Sequence, residues 1–116
     1  IGHLTAYLGA QIGSDQLLSR PVFSTASGES ISANSQYPII AFSADNDTLY
    51  TLLLSAEREG LDHIAFVQEM IDYGDDEKLQ NVLSKKEREN LDYLGIGLFG
   101  DTETIKNMTK GLNLWK

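Results

Sequence analysis

The stretch Tyr93–Trp115, YLGIGLFGDTETIKNMTKGLNLW, reads as a strand, a turn, a helix and an apolar tail. Alternation along a strand places Gly95 and Gly97 on one face. Glycine weakens a strand, because it has no side chain to pack and the most backbone freedom to lose. Two of them side by side predict that something comes very close to this backbone.

The rest of the chain supplies candidates for that neighbour. Ile1 to Gly13 is predicted helical, with Ile1, Leu4, Leu8 and Ile12 on one apolar stripe. Gly2, Ala6, Gly9 and Gly13 form a second stripe of small residues that admits close packing. Pro21–Thr25 and Ser30–Ala33 flank a Ser27-Gly28 turn as a short hairpin, or else form an irregular loop. Tyr37–Phe42 (YPIIAF) reads as a buried strand. Asp45 or Asp47 caps a helix from about Thr48, with Leu49, Leu52, Leu53 and Ala56 inward and Gly60 as its stop. Leu61–Gln68 is the next strand, and Asp75–Leu83 is a weaker helix. Ser84-Lys85-Lys86-Glu87 has capping-box spacing. Tyr93–Phe99 is the last strand, and Asp101 caps a final helix to about Thr109. Strands alternating with helices predict an α/β domain with helices on both sheet faces.

Composition bounds the function. A chain of 116 residues with 41% hydrophobic and 22% charged residues is one globular domain, residues 1–116. Such a chain buries roughly 65% of its unfolded surface. Zero cysteines exclude disulfides and thiolate metal sites and suit a reducing compartment, the cytoplasm. No apolar run reaches the ~18 residues of a membrane helix. The net charge is −8, and eleven acids but five bases fall between Glu57 and Asp92. Nucleic-acid binding needs clustered Lys and Arg, which are missing, so that class is disfavoured.

Two segments together resemble one family. Leu94-Gly95-Ile96-Gly97, then Ile105–Met108, Thr109 and Leu112-Asn113-Leu114, resembles the close of type 2 peptidyl-tRNA hydrolases: a strand ending Gly-x-Gly, a helix, and a Thr-Gly-x-Leu-x-Leu tail. Gly2-His3-Leu4-Thr5-Ala6-Tyr7-Leu8-Gly9-Ala10 resembles their Gly-Lys-x-x-Ala-Gln-x-x-His helix. With YLGIGLFG late in the chain, the sequence looks most like an uncharacterised bacterial family assigned the same fold. The resemblance implies a three-layer α/β/α domain with a small mixed sheet, pairing as a homodimer. It also implies that the first helix lies over the last strand, so that Gly95 and Gly97 admit that helix or a ligand at its start.

In that fold a strand precedes the first helix and lies inside the sheet. The chain starts Ile1-Gly2-His3, so an apolar strand of ~5–8 residues is expected upstream. Without it, two rows of backbone groups would stay unpaired at ~1–3 kcal/mol each if buried. Domain stability is only about 5–15 kcal/mol.

The family's chemistry does not carry over in full. Its motif histidine aligns with Ala10, its lysine with His3 and its glutamine with Tyr7. Its Asp-Ala-Gly-x-Thr segment is nearest to Val67-Gln68-Glu69-Met70-Ile71, which keeps a carboxylate at Glu69. Fold residues are kept while most catalytic ones are lost, as when a fold is reused. Two function classes follow. One is a binding domain for a small molecule or peptide, lined by Gly2, Ala6, Tyr7, Gly95 and Gly97. The other is an ester or amide hydrolase with His3 as base and Glu69 orienting it; peptidyl-tRNA is its least favoured substrate. An apolar cleft beside His3 favours the first class, and a positive one made by Arg20, Lys106 or Lys110 revives RNA. No cofactor or metal site is expected. Asp72, Asp75, Asp76 and Glu77 lack calcium-loop spacing, and His63 in an apolar strand reads as structural. Gly95–Gly100 spells Gly-x-Gly-x-x-Gly, but its first glycines lie within the strand and no acid follows about twenty residues later.

Overall fold

The structure is a computed structural model and describes residues 1–115. Its centre is an antiparallel pair, β4 (Asp62–Val67) and β5 (Tyr93–Phe99). The register runs from Asp62 opposite Phe99 to Phe66 opposite Gly95, then slips so that Val67 faces Tyr93 and Leu94 is bulged out.

Helix α1 (Gly2–Ile12) covers the glycine face of β5. A Cβ on Gly95 would stand 3.0 Å from Leu4 Cδ1. One on Gly97 would stand 3.0 Å from both Leu8 Cδ1 and Ile64 Cγ2, and 3.3 Å from Leu4 Cβ. The expected close neighbour is therefore the apolar stripe of α1. Neither glycine has a positive φ, so closeness of approach is what these positions require.

Helix α3 (Asn46–Glu59) packs on the same two strands. The Asp45 side chain accepts from the Thr48 N–H at 2.8 Å and starts it, and Gly60 ends it at φ 69° and ψ 27°, a left-handed turn that favours glycine. Its Leu53 packs with Val67 and Tyr93, with Leu49, Tyr50, Leu91 and Ile96 around them. Alternation on β5 puts Ile96 on the face opposite Gly95 and Gly97, so α1 and α3 hold different faces of the ribbon.

The remaining elements lie around this centre. Helix α2 (Ser14–Leu17) follows α1, and β1 (Val22–Ser24) and β2 (Ser30–Ser32) form the exposed hairpin. After β4 come α4 (Gln68–Asp72) and α5 (Asp76–Leu83), the latter capped by Asp75, then a 3₁₀ turn at Arg88–Asn90. Asp101 caps α6 (Thr102–Met108) through the Thr104 N–H at 3.0 Å.

Three expectations are corrected. Tyr37–Phe42 is not a strand in the central sheet: only β3 (Phe42–Ser43) is extended and paired, antiparallel to β6 (Asn113–Leu114). Pro38 lacks an N–H and restricts Tyr37 before it, so a ladder cannot run through this stretch. Ile39 and Ile40 stay 70% and 60% exposed. As a result the described residues form three separate antiparallel pairs rather than one mixed sheet. The segment from Ser84 does open a turn and then the 3₁₀ turn at Arg88–Asn90, as its spacing implies, but without a capping box. Ser84 has helical angles, φ −65° and ψ −16°, and ends α5 while its Oγ donates back to the Asn81 carbonyl. A helix-starting cap needs extended backbone instead.

The fold is open. Its accessible surface is 8340 Å², against roughly 6,300 Å² for a compact monomer of this mass. Its radius of gyration is 17.0 Å, against about 13 Å for a compact domain of this length. Among the described residues, β4 and β5 pair only with each other. No helix among them is long and apolar enough to cross a membrane.

Candidate functional site

The first turn of α1 places His3 over β4. Its ring stacks on Phe66 with centroids 4.9 Å apart and planes 14° from parallel. Phe66 faces Gly95 across the ribbon, and the missing side chain there leaves room for the aromatic ring and for Leu4.

Beside this stack opens a cleft of about 570 Å³. Its floor is Leu4 with Ile64, Ala65 and Phe66, and its far wall is Met70 and Ile71 of α4, Tyr73, and Leu79 of α5. His3 and Asp76 are the titratable lining groups besides the Tyr73 phenol. Among the described residues no Lys or Arg lines it. Arg20 instead lies over the Phe23 ring at 5.2 Å. Apolar walls with few polar groups are the chemistry of small-ligand sites; this cleft is a half-open one, with Met70, Ile71 and Tyr73 37%, 58% and 38% exposed.

Glu69 takes no part in this lining. It sits one residue before Met70 on α4, and one helical step is about 100° of rotation, which carries its carboxylate to another side. It is 4% exposed. Lys86 Nζ donates to Oε2 at 2.8 Å and the Asp92 N–H to Oε1 at 3.4 Å. Burial pushes the carboxyl up, but the Lys86 hydrogen bond, the backbone N–H groups of Glu69 and Asp92 and the Lys86 charge outweigh it. The group ends below the ordinary glutamate value. Among the described residues no hydrogen bond or ion pair joins His3 to Glu69.

The other sequence candidates divide similarly. Gly2 lies next to His3 at the open start of α1, and a Cβ there would meet nothing within 4 Å. Ala6 and Tyr7 are exposed on α1 outside the cleft. Gly95 and Gly97 lie beneath Leu4 and Leu8. His63 is held by its own strand, Nδ1–H donating to the Leu61 carbonyl at 2.8 Å. Sequence reasoning passed over Phe66 and Tyr73, met Met70 only as part of the Val67–Ile71 segment, and weighed Asp76 only as a calcium ligand. The available signal was Met70-Ile71-x-Tyr73-Gly74, apolar and aromatic residues set in an otherwise acidic run.

This arrangement is an α/β domain with an apolar, histidine-edged cleft between its first helix and the elements after β4. The chain belongs to the family described as "Protein of unknown function (DUF2000)", which matches residues 1–116. Its fold is similar to the solved structure of a protein of unknown function from Agrobacterium tumefaciens strain C58, with a TM-score of 0.79 at 19% identity. That match covers 99% of this chain and 83% of the other. A search of the curated proteins returns no match.

Proposed function

We propose that this chain is a binding domain that takes a small molecule or an apolar peptide side chain into the cleft beside His3. Its framework is a three-layer α/β/α fold of the type 2 peptidyl-tRNA hydrolase kind, used without that family's catalytic histidine, whose place is taken by Ala10. The observation that carries this reading is the apolar cleft of about 570 Å³ with no basic side chain in its lining among the described residues. Such a lining supports a small apolar ligand over RNA, which needs positive charge along its path. The open outer edge of β5 is where that fold kind seats a further strand. The absence of cysteine supports the cytoplasm as its compartment.

A fragment screen followed by ¹⁵N-resolved spectra tests the reading. Bound fragments are expected to shift the amides of Phe66, Met70 and Tyr73, and Leu79→Trp, which fills the cleft from its far wall, abolishes those shifts. Shifts confined to other surfaces sink it.

One observation favours a hydrolase as second reading: His3 stands at the rim of the cleft. In that reading His3 acts without Glu69, whose carboxylate is committed to Lys86. Ester turnover lost in His3→Ala, but kept in Glu69→Gln, supports it.

We also propose a homodimer. The exposed surface exceeds that of a compact monomer by about 2,000 Å², and each partner in a standard interface contributes only ~800 Å². Ile39, Ile40, Leu114 and Trp115 are all at least 60% exposed; Leu114 pairs with Phe42 and the Trp115 N–H donates to the Ala41 carbonyl, next in the chain to Ile40. This strip is the surface a second copy would cover.

A further inference from the structure

We infer that the cleft selects a cationic ligand, an aromatic or aliphatic amine whose ammonium is held at Asp76 while its apolar body lies against Phe66, Met70 and Leu79. The inference rests on the binding reading above and adds the charge of the ligand.

Three features carry it. The first is that Asp76 brings the cleft's carboxylate, and its side chain makes no hydrogen bond or ion pair among the described residues. Its neighbour Asp75 is spent on capping α5, where its Oδ1 accepts from the Glu77 N–H at 2.9 Å. The second is that an anionic ligand finds no guanidinium or ammonium in the lining. Lys86, which packs against α4, is taken by Glu69 at 2.8 Å. The third is aromatic: Phe66, with one face stacked on His3, and Tyr73 both line the cleft, and aromatic rings attract a cation. The net charge of −8 points the same way at long range.

The test is a titration at low salt with three probes of one shape: 2-phenylethylamine, neutral 2-phenylethanol and anionic 3-phenylpropionate. Chemical shifts at Phe66 and Tyr73 locate the binding. The expected result is that the amine binds about 5- to 10-fold tighter than the alcohol and that added salt erodes this margin. Asp76→Asn removes the margin, whereas Asp47→Asn, on the exposed first turn of α3, leaves it in place. Equal binding of all three probes in the cleft overturns the charge selectivity and leaves the binding reading standing. A margin that survives Asp76→Asn, or falls equally in Asp47→Asn, overturns the role of Asp76. Absence of shifts in the cleft with every probe overturns both inferences.

Discussion

The Tyr93 N–H, at the first residue of β5, donates to Asn46 Oδ1 at 2.6 Å, and Asn46 is the first residue of α3. A side-chain amide thus takes a backbone donor that has no strand to bond. The phenol of the same tyrosine donates to the Arg88 carbonyl at 2.7 Å, and its ring stacks on Tyr50. Tyr93 therefore joins β5, α3 and the 3₁₀ turn, which explains why an aromatic with a polar tip is 4% exposed.

Asn46→Ala removes that acceptor and is expected to lower stability by about 1–3 kcal/mol, the cost of an unpaired buried N–H. Asn46→Asp keeps an oxygen in place and loses less. Urea unfolding of both variants checks the ranking, and equal losses contradict it.

Gly97→Ala is expected to cost about 1–3 kcal/mol, because its methyl meets three side chains on two packed elements. Gly95→Ala costs less, since only the end of Leu4 must move. Calorimetry that finds Gly95→Ala the more damaging would contradict the packing of α1.

Lys86→Met leaves the Glu69 carboxyl with its burial and without its cation. Its pKa is expected to rise, by the balance described above. In the native chain the depressed pKa contributes stability above the ordinary glutamate value of about 4.3, and this is lost as pH falls through the folded pKa. In Lys86→Met that contribution shrinks, because only the backbone N–H groups of Glu69 and Asp92 still oppose burial. Carbon-detected titration of the Glu69 carboxyl checks this, and an unchanged midpoint refutes it.

Asp45 and Asp101 are held below the ordinary aspartate value: Asp45 first by the Thr48 side chain and then its N–H, Asp101 first by the Thr104 N–H and then its side chain. Both caps stabilise the fold above about pH 4 and lose that contribution as pH falls through their folded pKa. Asp45→Ala is expected to lower Tm at neutral pH by about 3–6 °C, and by less at pH 3. A drop that is independent of pH counts against the charged cap.

Sedimentation at micromolar concentration is expected to give twice 12.8 kDa. Ile40→Lys, in the exposed strip, returns the monomer. A wild-type chain sedimenting at 12.8 kDa refutes the dimer.

Helix α3 was legible because both of its ends are punctuated by local chemistry, Asp45 and Gly60, and its inward leucines repeat at helical spacing. Strand β5 was legible for a different reason: paired glycines in a strand have few explanations other than a close neighbour, and the family resemblance supplied α1 as that neighbour. Tyr37–Phe42 misled because apolar content resembles a buried strand, while its single proline decides whether a ladder forms. Glu69 misled because its partner is 17 residues away, beyond any local pattern. The cleft was only half legible. His3 was found on α1, but its opposite wall depends on how α4 and α5 fold back, which no periodicity states.

The glycine floor under α1 has a consequence for the order of synthesis. Leu4 and Leu8 leave the ribosome early, while Gly95 and Gly97, the surface they settle on, follow roughly ninety residues later, about 5–20 s at ordinary elongation rates. For that interval the helix has no seat, and its apolar stripe is open to chaperones or to other nascent chains. Translational pauses before β5 lengthen the exposure, whereas pauses after it do not. A glycine pair in β5 thus sets how long α1 must wait for its seat.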